Sequence, residues 1–350
     1  MMNKVILLFV FALICSCKTK EEISPRYITN IEFEDVLNDS LLSIRAIDVL
    51  NDGSLAFAAN KGTFGMRNAS DNTWLVSNQI YDTLKLEFRA IAHTATDFFM
   101  ISVGSPTLLY KTGTNGKMDV VYKENHPNAF YDAMKFWNDK EGIAMGDPTD
   151  GCISIIVTRN GGNTWTKLSC TDLPSANDGE AAFAASNTNI AIYGDHTWIA
   201  TGGISSRVLY SGDKGYSWEV FETPIIQGKN TTGMYSIDFY DDLNGFAIGG
   251  DYTVPDANEN NKIATNDGGK TWQVVAKGQT PNYRSCVQYV PNKKGKELVS
   301  VGFKGVDYSS DSGNTWSHLS DESFYTLRFI NDSTAFAAGR GRISKLKFRE

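Results

Sequence analysis

The chain has 350 residues, 41% of them hydrophobic and 21% charged, with a formal net charge of −7. That composition supplies a large core. An acidic chain with no Lys/Arg run lacks the basic footprint that phosphate neutralisation requires, which sets nucleic-acid binding aside.

From the N-terminus, Lys4 precedes a ten-residue apolar run, Val5 to Ile14. That length suits a signal-peptide core and is too short to cross a bilayer as a helix. The run ends in ICSC, which resembles the bacterial lipobox: Ser16 is the small residue before Cys17, the cysteine that would be lipidated and become the mature N-terminus. Cys15 is a less usual filler of that pattern. The following KTKEE (Lys18 to Glu22) resembles a Lys-then-acidic segment that sends some bacterial lipoproteins to the cell surface. The expected organisation is a lipoprotein signal peptide over 1–16, a lipidated tether over 17–26, and one domain over 27–350. Localisation would be the cell envelope, anchored to the outer membrane and facing the periplasm or the exterior. Export implies an oxidising compartment. Three cysteines follow the tether, Cys152, Cys170 and Cys286. Cys152 and Cys170 flank one octapeptide almost symmetrically, so a hairpin turn there would set them face to face and permit a disulfide. The alternative is two free buried thiols. No CxxC spacing supports a cysteine zinc site.

Two repeated elements organise the rest. The first alternates apolar and polar residues on both sides of a polar turn and ends in Gly. It is clearest over Ser236 to Asp251, and six further copies start at Ala46, Ala90, Ala133, Ala181, Ser285 and Thr326. Period-two alternation bounded by Asn, Asp and Gly predicts strand, turn, strand. The second is an octapeptide, Ser/Thr-x-Asp/Asn-x-Gly-x-Thr/Ser-Trp, over Thr158–Trp165, Ser211–Trp218, Thr265–Trp272 and Ser309–Trp316, with decayed versions at Arg67–Trp74 and Thr112–Asp119. Its four tryptophans recur every 44 to 54 residues, a period that suits a four-stranded propeller blade. The predicted fold is all-β: a seven-bladed propeller of four-stranded antiparallel blades. The last blade would stop at Ile343–Phe348 and be completed by the N-terminal strand Tyr27–Phe33, leaving no open edge.

Within the octapeptide, Asn160, Asp213, Asp267 and Asp311 can accept hydrogen bonds from turn amides. Gly162, Gly215, Gly269 and Gly313 admit a positive φ. Trp165, Trp218, Trp272 and Trp316 each bury a large ring. The pattern resembles the Asp-box of sialidases and other BNR-repeat propellers, a resemblance that implies a structural role on the face opposite an active site. The stretch Gly146 to Trp165 resembles exported propellers related to photosystem II assembly factors.

Aligning the seven copies places one residue at the start of each first strand: Arg45, Arg89, Asp132, Glu180, Tyr235, Arg284 and Tyr325. A second ring, between strands two and three, gives Asp147, Asp195 and Asp251 on one side and Lys304, Arg340, Arg342 and Lys61 on the other. Together these predict a channel mouth with a basic arc and an acidic arc, able to orient a charged partner. The plainer alternative is that the arginines pair with Asp132 or Glu180. The mouth residues also match the parts of a sialidase site, which would combine the arginines with a Tyr–Glu nucleophile pair and an Asp acid/base. Against that, Arg45 stands in SIRAID rather than a Phe-Arg-Ile-Pro motif. The four histidines, His93, His126, His196 and His318, form no HExxH pattern, GRGR (Gly339 to Arg342) lacks dinucleotide spacing, and Asp256–Asn260 lacks the Gly and distal Glu of a calcium loop. No metal or cofactor is expected. The reading is a monomeric, non-catalytic scaffold or assembly factor binding a protein or peptide at its charged central face, attached to the membrane by lipid alone. The alternative is a glycoside hydrolase, which would need a pocket joining Arg45, Arg89 and Arg284 to Glu180 and a Tyr.

Overall fold

A computed structural model describes residues 26–113 and 116–350. The expected signal peptide, Cys17 and all but the last residue of the expected tether lie outside the described residues. The described chain is strand, turn and loop apart from 3₁₀ geometry at Asn60–Gly62 and at Gly116. It opens with β1 (Asn30–Val49), β2 (Leu55–Ala59), β3 (Thr63–Arg67) and β4 (Trp74–Asn78). β5 (Phe88–His93), β6 (Phe98–Ser102), β7 (Thr107–Thr112) and β8 (Met118–Glu124) form a four-stranded sheet, as do β9 (Tyr131–Phe136), β10 (Gly142–Thr149), β11 (Cys152–Thr158) and β12 (Thr166–Lys167). Next come the short β13 (Glu180–Ala181), then β14 (Ile190–Tyr193), β15 (His196–Ala200), the short β16 (Gly202–Gly203), β17 (Arg207–Ser211) and β18 (Glu219–Glu222). β14, β15, β17 and β18 make one sheet, while β13 and β16 extend the following one, β19 (Thr232–Phe239), β20 (Gly245–Asp251), β21 (Lys262–Thr265) and β22 (Gln273–Val274). β23 (Cys286–Tyr289), β24 (Leu298–Gly302), β25 (Gly305–Ser309) and β26 (Ser317–Ser320) form another.

The chain ends in β27 (Thr326–Asn331), β28 (Thr334–Ala338) and β29 (Arg340–Arg349). These join a seven-stranded sheet ordered β27-β28-β29-β1-β2-β3-β4. Strand β1 belongs to both halves of it: Asn30–Asn38 pairs antiparallel with β29, and Ile44–Val49 pairs with β2. The first strands touch in succession, β1 on β5, β5 on β9, β9 on β14, β14 on β19, β19 on β23, β23 on β27, and β27 on β1. The apolar clusters lie between neighbouring sheets. One, for example, joins Ala90, Phe99 and Leu109 to Tyr131, Met134, Ile156 and Trp165.

The octapeptides are the turns between third and fourth strands. In each, the first Ser or Thr hydroxyl accepts the N–H of the turn glycine, at 2.9 Å for Gly162, 2.7 Å for Gly215, 3.0 Å for Gly269 and 2.9 Å for Gly313. The carboxylates of Asp213, Asp267 and Asp311 accept the backbone N–H four residues on, at 2.8–3.0 Å, and the side-chain hydroxyl of that residue at 2.6 Å. Asn160 makes the equivalent backbone bond to Thr164 at 3.0 Å. Trp218, Trp272 and Trp316 return their indole N–H to the carbonyl of their own turn glycine. Glycine is required twice over. Gly162 has φ +73°, and a Cβ there would sit 2.2 Å from Phe99 of the neighbouring sheet. Gly313 meets Phe246 in the same way. The octapeptide therefore fastens each sheet to its neighbour.

The copy starting at Ala181 departs from the prediction. Ile190–Tyr193 is the first strand of its sheet, not the second. The segment Ala182–Asn189 leaves the sheets and fills the centre of the molecule. Asn187 accepts Met134 N–H at 2.9 Å and donates to Ile91 O at 2.8 Å. Ser186 Oγ donates to Ser285 O at 2.7 Å, and Ser186 O accepts from Thr326 and Arg328. Thr188 donates to Ser236 Oγ at 2.8 Å and its carbonyl accepts Ile237 N–H. Arg45 Nη1 reaches Ala185 O at 3.5 Å. Small side chains mimic strand alternation here, but they also allow backbone to occupy a narrow centre, where the polar ones satisfy the surrounding first strands.

Cys152 and Cys170 are joined by a disulfide, with Cα atoms 5.5 Å apart, and Cys286 is free and buried. Cys170 lies just beyond the two-residue β12.

Asn187→Gly keeps the left-handed backbone accessible (φ +59°) while leaving Met134 N–H and Ile91 C=O without partners. Unfolding free energy should fall by roughly 2–4 kcal/mol. Urea unfolding followed by tryptophan fluorescence measures this, and an unchanged midpoint would contradict the central role of the insert.

Candidate functional site

The octapeptides and the turns between first and second strands share one end of the molecule. The first strands begin at the other, the mouth end. There Arg45, Arg89, Asp132 and Tyr235 occupy one repeated backbone position. Each is the residue skipped where the ladder register shifts, between Ile44 and Ala46, Phe88 and Ala90, Tyr131 and Ala133, and Met234 and Ser236. A bulge inserts one residue and re-aims its side chain away from the sheet faces. Four sheets thus direct a bulged residue toward the centre.

A cavity of about 390 Å³ opens at this end. Arg45, Arg89, Asp147, Tyr235 and Tyr325 line it, as predicted positions around one mouth. The central insert, through Ala182–Ala185, also lines it and makes it blind. Aromatic rings dominate the wall. Tyr235 stacks on Phe183 with centroids 3.9 Å apart and meets Tyr283 edge-on at 4.9 Å. Tyr252 and Phe303 stand at the lip, 48% and 36% exposed.

The charges divide into spent and unspent. Arg45 lies 4.1 Å over the ring of Tyr325. Its only hydrogen bond among the described residues is the 3.5 Å contact with Ala185 O, and its Nε has no partner. Burial, and then the neighbouring Arg89, pull its pKa down. Arg89 pairs with Glu87 at 2.7 Å. Asp147 accepts Ala182 N–H at 2.8 Å, while burial raises its pKa. Asp132 is fully buried beneath this end, with the backbone N–H groups of Asp147 and Ala184 near its carboxylate but no well-formed hydrogen bond to either oxygen. Burial, and then Asp147, hold its pKa well above the ordinary carboxylate value, against a smaller opposing pull from Arg89.

The remaining mouth assignments need correction. Glu180 is a buried residue of β13 bound to Arg207 at 2.5 Å and to Thr201 at 2.6 Å, because its repeat copy was out of register. Arg284 is buried against Asp307 at 2.6 Å. In that sheet Ser285 takes the bulge-like place, donating its N–H to Val301 O, and it is Ser285 that lines the cavity. A one-residue slip accounts for the difference. Asp195 lies in the β14–β15 turn at the opposite end, where it pairs with Lys214 at 3.3 Å. Asp251, the last residue of β20, is buried and accepts Thr253 N–H at 2.9 Å. Arg340 is exposed in a separate groove beside Asn38–Ser40 and Arg342. The sialidase-like set is therefore not assembled: neither Glu180 nor Arg284 reaches the cavity. Tyr252, Tyr283 and Phe303 were missed, although each is adjacent in sequence to a charged residue singled out, Asp251, Arg284 and Lys304. Among the described residues no group of three or more His, Cys, Asp and Glu could hold a metal ion.

No protein-family model and no curated protein matches the chain. Solved structures do. The structure of YCF48 bound to D1 peptide is similar with a TM-score of 0.65 at 12% identity, over 94% of this chain and 100% of that one. YCF48 from Cyanidioschyzon merolae is similar at 0.61 and 12%, over 91% and 98%. Virginiamycin B lyase from Staphylococcus aureus is similar at 0.59 and 12%, over 91% and 99%. The fold is a β-propeller. At such identities the likeness concerns the fold alone. The propeller presents a blind, aromatic-walled cavity at one end and its octapeptide turns at the other.

Asp132 gives a pH signature. Because its folded pKa is raised, the stability it contributes is complete below the ordinary carboxylate pKa and is lost as pH rises through the folded value. Asp132→Asn should therefore be more stable than wild type at pH 8, with the advantage shrinking toward pH 4. Urea midpoints at the two pH values measure it, and a variant less stable at pH 8 would contradict the assignment.

Proposed function

We propose that the chain is an exported, lipid-anchored propeller that binds a protein or peptide partner through its mouth-end cavity, as a scaffold or assembly factor. Seven blades follow if the seven-stranded sheet is counted as two blades sharing β1, with Asn30–Asn38 as the outer strand of the last one. The octapeptides are then Asp-boxes of the BNR type. Cys17 is the lipidated residue after removal of 1–16, the single domain runs from 27 to 350, and the monomer resides on the outer membrane of a bacterial envelope.

The observation that carries the binding reading is Arg45. A guanidinium stacked on Tyr325, with no carboxylate partner and an unbonded Nε, lies in a cavity walled largely by aromatic rings, with Arg89 and Asp147 also lining it. Most other buried charges near the mouth are neutralised internally. Arginine beside tyrosines is the composition of interface hot spots, and the partly exposed rings of Tyr252 and Phe303 supply an apolar lip around it. A partner segment with an anionic group flanked by apolar side chains fits this chemistry. YCF48, similar in fold, was solved bound to D1 peptide, which supports a peptide as the kind of ligand.

Pull-down from a whole native envelope extract, soluble and membrane fractions together, with the mature domain tests the reading. Arg45→Ala should lose the captured partner, with affinity falling more than about tenfold. Arg342→Ala, outside the cavity, should retain it. Equal capture by both variants would overturn the cavity as the binding site.

A further inference from the structure

We infer that the cavity faces away from the bilayer, so that its partner comes from the aqueous compartment and not from within the membrane. This rests on the reading of Cys17 as the lipid anchor. The argument lies in where the described chain begins. Arg26 is fixed at the octapeptide end: it bonds Glu297 at 2.5 Å and the carbonyl of Asp332 at 2.7 Å, and its own carbonyl accepts the Tyr308 hydroxyl at 3.2 Å. The Glu297 side chain is 2% exposed, so this is a seated contact. Glu297 and Asp332 both belong to turns between first and second strands, the turns against which the octapeptides pack, as in Ser312 N–H to Lys296 O.

From there β1 runs away from the entry point. Asn30 is opposite Arg349 and Asn38 opposite Arg342, and only then does the chain reach Arg45 at the mouth. Asn30–Asn38 alone advances roughly 27 Å at a strand's rise per residue. Cys17 precedes Arg26 by nine residues, a reach of about 30 Å when fully stretched. To bring the mouth to the bilayer, that tether would have to double back along the outside of the sheet at nearly full extension. With the octapeptide end toward the membrane, no such stretching is needed. The root of the tether and the cavity therefore occupy opposite ends of the propeller.

The test uses the full lipidated chain in vesicles carrying a headgroup acceptor dye. A donor dye is placed at Lys270→Cys, in an octapeptide turn, or at Asn230→Cys, beside the cavity; Cys286 is buried and does not compete. Energy transfer from position 270 should exceed that from 230 several-fold. Equal or reversed transfer from protein that floats with the vesicles would overturn the orientation while leaving the anchor intact. Mass spectrometry of Cys17, with Cys17→Ala as control, separates the two ideas. A wild-type chain without lipid on Cys17 would overturn the anchor reading and the orientation with it.

Discussion

Everything at the centre of this propeller depends on one segment, Ala182–Asn189, being accepted by all the first strands around it. Its backbone and its Ser, Asn and Thr side chains bond to Ile91, Met134, Ser236, Ser285, Thr326 and Arg328. A buried polar backbone is tolerated only when its groups are paired, so insert and surrounding strands specify one another. The consequence is functional as well as structural. A propeller centre that could have been an open channel is blocked, and the mouth becomes a blind cavity of definite size. Its floor is the Ala182–Ala185 part of the same segment.

The electrostatics follow from that geometry. Charge is abundant in the sequence, but folding consumes most of it near the centre. Glu180 holds Arg207, Arg284 holds Asp307, and Arg328 caps the carbonyls of Ser186 and Asn187. Away from the mouth, His93 pairs with Asp48 at 2.7 Å, while burial lowers the pKa of Lys135 and raises that of Asp238. Arg45, held over Tyr325, lines the mouth cavity without a carboxylate partner. An arginine there is desolvated in advance, which favours a carboxylate-bearing ligand over water more than an exposed arginine would.

Much of the fold was legible because its signals are local. Strand alternation, the turn chemistry of Asp213, Asp267 and Asp311, and the glycines that follow them are read from a few adjacent residues. The site was legible only in part, because it depends on register. Arg45, Arg89 and Tyr235 were found since each sits at a bulge that recurs at the same point of its repeat. Arg284 failed by one residue, which in a strand reverses the side chain. Glu180 failed for a different reason: Ala181–Ser186 has the alternation of a strand, and only the tertiary surroundings reveal that those small side chains suit a central insert. The aromatic wall escaped notice because Tyr252, Tyr283 and Phe303 come from loops, where no periodicity marks them.

The account's central claim is that partner contact occurs in the Arg45 cavity at the mouth end. Site-specific photo-crosslinking in intact cells tests it most directly, with a photoreactive phenylalanine analogue replacing Tyr252 at the lip or Tyr216 at the octapeptide end. The account expects one discrete adduct from position 252, abolished by Arg45→Ala, and none from 216. Adducts from 216 alone, or an adduct at 252 that survives loss of Arg45, would contradict it.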